Sequence, residues 1–360
     1  MSIETQAGFW LRNVNDYREE GGKGNPLAAG FRELSALLRR LFADYSSFET
    51  SAAESVPTKI GINADDLENY HNLMETVDCL YQMAAVGLLR QEGNVSCLEV
   101  SKAALKKEFK TSVVFPFAML EKYGFSFRYR KEGKEVAAYK FCGAFCLFYG
   151  NDPLLIPAMK TFADSLPDAA IKDGYYLPRR DLFAVADFTC ALGDETAKQT
   201  DISPLRPCIL RTVGGKRELW LTLVERLGEG LKLSAKVSVN PYVFPNWTVK
   251  FCRQKKTVLT FIIRADELGV KLPLPYETAK LVIQRRRELP RLFSESIGRF
   301  GCVGCGKCAG QANIEVFEGV SLCRLATTNF MSEDAKSIAG GIETQADVAA
   351  VCEIVKESLA

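Results

Sequence analysis

The sequence predicts an α+β protein. It has a helical N-terminal part with a winged-helix-like helix and hairpin module, a small antiparallel sheet with helices on one face, and a C-terminal four-cysteine, zinc-ribbon-like tail. Three observations carry this reading. Apolar residues recur at three- and four-residue steps between Leu27 and Leu89. The apolar period changes to two at Phe125 and again after Leu231. Four cysteines crowd the stretch from Cys302 to Cys323.

At 360 residues the chain is long for one core. The expected divisions are residues 1–56 (helical extension and linker), 57–170 (helix and hairpin module), 171–300 (α+β domain) and 301–360 (cysteine-rich tail with a terminal helix). An apolar share of 47% and a charged share of 25% are ordinary for a globular protein. The formal net charge of +2 excludes a global field that would recruit nucleic acid or anionic lipid. No run of eighteen apolar residues exists, so no membrane partner is expected. The start, Met1-Ser-Ile-Glu-Thr-Gln, does not read as a secretory signal. Twelve cysteines in such a chain point to reduced thiols and a cytoplasmic setting.

Residues 1–26 are polar and Gly-rich and are read as a loosely packed start. From Leu27 a helix is expected, with Phe31, Leu34, Leu38, Leu41, Phe42 and Tyr45 on one face. Asp65 or Asp66 can cap a second helix through about Leu89, buried along Leu67, Tyr70, Met74, Val77, Tyr81 and Leu88. Further helices are expected over Cys97–Phe109 and from Pro116 to Gly124. Phe125, Phe127 and Tyr129 then alternate with polar residues, Lys131–Lys134 turns, and Glu135–Leu147 returns as a strand. Arg128, Arg130, Lys131 and Lys134 on that hairpin would suit a DNA-contacting wing. The candidate recognition helix offers almost no base-reading side chains. Asp152-Pro153 opens another helix, to about Leu166.

The α+β domain follows. Lys216–Leu227 reads as an amphipathic helix, Leu231–Val239 as a strand, and Asn246–Cys252 with Thr257–Arg264 as a hairpin. Leu272-Pro-Leu-Pro275 breaks the chain before a helix from Tyr276 to Leu289. Val249, Phe251, Leu259, Phe261 and Ile263 are expected to bury against Leu219, Leu223 and Leu281. Trp220, Tyr242, Trp247 and Tyr276 are candidate walls of a ligand pocket, with core packing as the alternative.

The tail carries the most direct chemistry. Cys302-Val-Gly-Cys305-Gly-Lys-Cys308 places a cysteine at every third residue, and Cys323 follows after one hairpin's length. Zinc accepts four thiolates tetrahedrally, and Glu318-Gly319 between alternating apolar residues is a turn that would bring Cys323 back beside the knuckle. The same seven residues resemble a ferredoxin iron–sulfur loop, but the Cys-Pro expected just after it is missing, so Cys323 or Cys352 would have to replace that ligand. Free thiols packed together are a third reading. Cys352, among Val348, Val351 and Val355, has core packing as its default. His71 is the only histidine, so histidine-rich metal sites are excluded. No G-x-S-x-G, P-loop or G-x-G-x-x-G falls in its required context, and no catalytic residue is nominated.

On Cys302–Cys308 and Cys323 the second half of the chain resembles an uncharacterised bacterial group that pairs a small α+β module with a C-terminal cysteine knuckle. That resemblance implies a metal site and no activity. Three function classes remain. One is a binding or regulatory module with structural zinc and a small-molecule or protein partner. The others are an iron–sulfur or thiol-based redox or metal sensor, and a DNA-binding regulator.

Overall fold

The computed structural model describes residues 3–14, 25–48, 64–109, 117–166, 175–176, 179–185, 188, 206–240, 245–296, 313–325, 327–331 and 341–359. It is a mixed structure of helices and antiparallel sheets, and the chain divides into two compact units. The first comprises residues 1–169 and 177–208, the second 170–176 and 209–360.

In the first unit, helices α1 (Ile3–Asn13), α2 (Ala28–Ala43) and α3 (Ala64–Val86) precede strands β1 (Leu88–Glu92) and β2 (Val95–Ser101). Then come α4 (Lys102–Phe109), α5 (Phe117–Lys122), β3 (Phe125–Lys131), β4 (Lys134–Val136), β5 (Ala144–Tyr149), α6 (Leu155–Ser165) and α7 (Arg179–Val185). The five strands form one antiparallel sheet in the order β1-β2-β5-β3-β4.

Three expectations change here. The polar start is a helix, because Ala7, Phe9 and Trp10 supply a buried face, and Trp10 stacks on Phe42 at 6.1 Å between centroids. The helix expected over Cys97–Phe109 is β2 followed by a shorter helix. Gly93-Asn94 turns the chain between β1 and β2, with Gly93 at φ +62°, and β2 buries Cys97, Leu98 and Val100 between exposed ends. Leu88 is accordingly an exposed strand residue instead of the end of the α3 stripe. The return strand expected over Glu135–Leu147 is interrupted at Tyr139–Phe141 by a 3-10 turn, and β5, not β4, is the main partner of β3. The three-helix order of a winged helix is thus replaced by helices on a five-stranded sheet.

The core lies on one face of this sheet. Leu98, Val100, Phe125, Phe145, Leu147 and Tyr149 are buried there, and α3 and α6 pack over the sheet. Helix α2 runs close to the start of α6. A Cβ at Gly30 would lie 2.2 Å from the Leu154 carbonyl oxygen, so only glycine permits that approach. Asp152 Oδ1 accepts the Leu154 N–H at 2.7 Å in a turn ahead of α6; the helix itself begins at Leu155, later than the Asp152-Pro153 start expected, and its N-cap residue Leu154 makes no side-chain capping bond. Phe31, Leu34, Leu38, Leu41 and Phe42 are buried as expected, while Tyr45 lies past the helix in a half-buried turn.

The second unit holds β6 (Tyr175–Tyr176), α8 (Arg206–Val213), α9 (Arg217–Val224), β7 (Ser234–Asn240), β8 (Asn246–Arg253), β9 (Lys256–Arg264) and β10 (Glu267–Leu274). After these come α10 (Tyr276–Gln284), α11 (Arg291–Ser296), β11 (Ile314–Phe317), β12 (Val320–Cys323), β13 (Thr328–Met331) and α12 (Gln345–Leu359). Six strands pair in the order β13-β10-β9-β8-β7-β6, all antiparallel except β6 with β7. The β8–β9 turn, Gln254-Lys255, has positive φ at both residues, as a tight hairpin requires.

Register places Val249 opposite Phe261, Trp247 opposite Ile263 and Phe251 opposite Leu259, so all six share one face, and all are buried. Leu268, Val270, Leu272 and Leu274 extend that face along β10. Trp220 of α9 meets Phe261 edge-on at 5.4 Å. Leu223 is buried as expected, but Leu219 is half-buried and Leu281 is 48% exposed. On α10 it is Thr278, Ala279, Val282 and Ile283 that face inward. The expected break at Leu272–Pro275 is instead the end of a strand. Pairing with β9 stops at Lys271, so Pro273 meets no ladder on that side while β13 lies along the other.

Phe261 stands at the centre of this layer. Phe261→Ala is expected to cost about 3–5 kcal/mol in a denaturant titration, as for other large core deletions. Leu281→Ala is expected to stay within about 0.5 kcal/mol, as an exposed substitution should.

Candidate metal centre

Cys302, Cys305 and Cys308 lie outside the described residues. Cys323 is described. It ends β12, is buried, and takes part in no disulfide. The expected hairpin is present: β11 and β12 pair antiparallel through Glu318-Gly319, whose φ values are +46° and +79°. In that register Cys323 stands opposite Ile314, and the Arg324 N–H donates to the Asn313 carbonyl at 3.0 Å. Cys323 therefore sits at the open end of the hairpin, where the chain arrives from Cys308.

A single carboxylate on this hairpin gathers several donors. Glu315 on β11 accepts hydrogen bonds from the Tyr276 hydroxyl, from Arg324 Nη2 at 2.6 Å and Nε at 3.2 Å, and from Lys280 Nζ at 3.4 Å. Tyr276 and Lys280 belong to the first turns of α10, so the network ties the hairpin to that helix. Lys280 also lies over the Phe317 ring at 4.8 Å, and Val320 and Leu322 are buried. The hydrogen bonds from Tyr276 and Arg324 hold the Glu315 carboxyl down at about 2.

The residues proposed for a DNA wing have another environment. Arg128 donates to Glu92 Oε2 at 3.1 Å, and Arg130 pairs with Glu92 Oε1. Arg128 also lies over the Phe148 ring at 4.8 Å. Lys131 and Lys134 flank the exposed turn. Strand order explains the Glu92 contacts. Glu92 is on β1 and the arginines on β3, with β2 and β5 between them, so the ion pairs arch over the two middle strands. Beneath the arch lie Cys97 of β2 and Cys146 of β5, both almost fully buried although they are on the sheet face away from the helices. Burial pushes both thiols up, Cys146 to about 12. A carboxylate oxygen of Glu92 and the sulfurs of Cys97 and Cys146 all lie within 4.8 Å of one another.

Side-chain spacing alone misses that juxtaposition, because it sets Cys97 on a helix and leaves Cys146 apart from it. Gly93-Asn94 between two short apolar-polar runs is the signal that finds it, because it makes 88–101 a hairpin.

Of the pocket candidates, Trp247 is fully buried beside Ile263, Trp220 packs on Phe261, and Tyr276 serves Glu315. Tyr242 lies outside the described residues. Cys352 is half-buried on α12 beside the buried Val348, Val351 and Val355. No helix among the described residues is long and apolar enough to cross a membrane. No family model, no curated protein and no solved structure matches the chain.

Because the Glu315 carboxyl is held below its ordinary value of 4.5, its contribution to hairpin docking is fully present above about pH 4.5. It is lost as the pH falls through about 2. The Tyr276 ring resonances, followed by NMR during acidification, are expected to report this release, and Glu315→Gln is expected to show the released spectrum already at neutral pH.

Proposed function

We propose that Cys302, Cys305, Cys308 and Cys323 hold one zinc ion, and that the chain is a binding or regulatory module whose tail is fixed by that metal. The observation that carries this reading is the β11–β12 register. It sets Cys323 opposite Ile314, at the end of the hairpin that the CxxCxxC segment enters. A four-thiolate site needs one ligand delivered back to a knuckle from elsewhere in the chain, and a hairpin that ends on a cysteine supports such a role for Cys323. Cys323 is also held in place independently of any ion, since Glu315 ties its hairpin to α10. One ligand is thus preorganised and three follow from the knuckle.

Zinc is preferred to an iron–sulfur cluster on the donor set. The fourth thiol comes from a hairpin, as in a ribbon, and not from a Cys-Pro immediately after the loop. The metal's role here is structural. The stretch from Gly301 to Ala312, ahead of that hairpin, has Val303 as its only large apolar residue, so metal binding supplies much of its folding free energy. No nucleophile and no general base is assigned.

Regulation by nucleic acid is the weaker reading, because both arginines that a wing would present are already paired with Glu92, which cancels one of their two charges. If the hairpin does not grip a duplex, Arg128→Ala with Arg130→Ala leaves the salt dependence of any duplex binding unchanged.

Protein purified without added metal is expected to be colourless and to carry zinc that Cys305→Ser removes from the tail. Chelation or that substitution should raise proteolytic cleavage between about residues 297 and 312, while unfolding of the six-stranded sheet stays cooperative. A brown protein whose absorbance is lost in Cys305→Ser would replace zinc by an iron–sulfur cluster. A tail equally resistant with and without chelator would remove the structural metal.

A further inference from the structure

We propose that Glu92, Cys97 and Cys146 form a second metal site, for a thiophilic divalent ion of the zinc and cadmium class, on the outer face of the five-stranded sheet. The three donors come from three different strands, β1, β2 and β5, which the sheet order places side by side. Their ligand atoms lie within 4.8 Å of one another. Two zinc–sulfur bonds of about 2.3 Å span at most about 4.6 Å, so small side-chain shifts bring the set onto one ion. Two thiolates and a carboxylate are three protein ligands and leave a fourth position for water.

A disulfide is the competing use of two neighbouring thiols, and the register disfavours it. Cys146 stands opposite Glu99, so Cys97 is its diagonal neighbour two residues along β2. Diagonal Cα atoms in a sheet are roughly 7–8 Å apart. Disulfides need separations below about 7 Å unless the backbone moves. An ion bridges the longer gap without moving either strand.

The surrounding charges suit the exchange. They are Arg90 and Glu92 on β1, Glu99 on β2, and Arg128 and Arg130 on β3, with Arg90 paired to Glu99 at 3.0 Å. Burial keeps both cysteines as thiols in the metal-free protein. On binding, the S–H bonds of Cys97 and Cys146 break, two sulfur–metal bonds form, and two protons leave to the buffer. No electron is transferred. A doubly charged ion replaces two protons, so the net charge under the arch does not change and the arginines are not newly repelled. Glu92 turns one oxygen to the ion and keeps the other for an arginine. Release of two protons makes the affinity rise by about a hundredfold per pH unit while both thiols stay protonated in the free protein.

The test is a titration of the metal-free full-length chain with cadmium alone, followed by the ultraviolet cadmium–thiolate band and by proton release. Cys97→Ser and Cys146→Ser are each expected to bind one cadmium ion fewer per chain than the parent. Cys79→Ser, altering a buried thiol elsewhere on α3, is expected to change nothing. Glu92→Gln, which replaces the charged oxygen ligand by a neutral amide, keeps the stoichiometry and weakens that ion by at least about tenfold. Equal cadmium uptake by the parent and by folded Cys97→Ser overturns the site. Should the serine variants not fold, alkylation of the parent decides. Cadmium is expected to slow labelling of both Cys97 and Cys146 at least about tenfold, and unchanged labelling of these two overturns the proposal.

Discussion

One carboxylate links the hairpin that carries Cys323 to the helix beside it. Glu315 gathers a tyrosine hydroxyl, a guanidinium and an ammonium, and two of the three donors sit on α10. Hydrogen bonds to a charged acceptor are the stronger kind, and several converging on one group act as a network. A four-residue strand pair has little apolar area with which to hold itself against a helix. Here Val320 and Leu322 supply the buried side chains and Glu315 supplies direction. The hairpin then delivers its terminal cysteine to a defined end, and the tail reading builds on that end.

The outer face of the first unit's sheet shows the same economy. Its charged hairpin, viewed as sequence, suggests a surface for phosphate. In the fold those charges close on Glu92 and cover two thiols. Surface ion pairs usually contribute little to stability. Here they lie over Cys97 and Cys146, where burial raises both thiols and the Arg130 charge partly offsets that rise. The chain thus carries two groups of cysteines, one close together in sequence from Cys302 to Cys308 and one assembled from strands far apart in sequence.

Much of the fold was legible where the apolar period was strong. The stripe of α2, the β8–β9 hairpin and the Glu318-Gly319 turn all follow from side-chain spacing and turn chemistry. Three features were not. Residues 1–13 look polar on average, and only the packing of Trp10 on Phe42 reveals a buried face. The helix expected from Cys97 begins only at Lys102, because Gly93-Asn94 turns the chain and Val95–Ser101 pairs as a strand. Pro273 reads as a breaker, yet a strand tolerates it where one side needs no donor. Of the site residues read from the sequence, Cys302, Cys305 and Cys308 lie outside the described residues, and only Cys323, at the end of its expected hairpin, is seen. The Glu92–Cys97–Cys146 group was not legible, since its members meet only through strand order.

X-ray absorption at the zinc edge of the zinc-loaded Cys97→Ser protein tests the central claim most directly. That variant lacks the sheet site, so its zinc reports the tail. Four sulfur neighbours at about 2.3 Å are expected. A first shell with two sulfurs and the rest oxygen or nitrogen, or the same four-sulfur shell persisting in Cys323→Ser on the Cys97→Ser background, would contradict it.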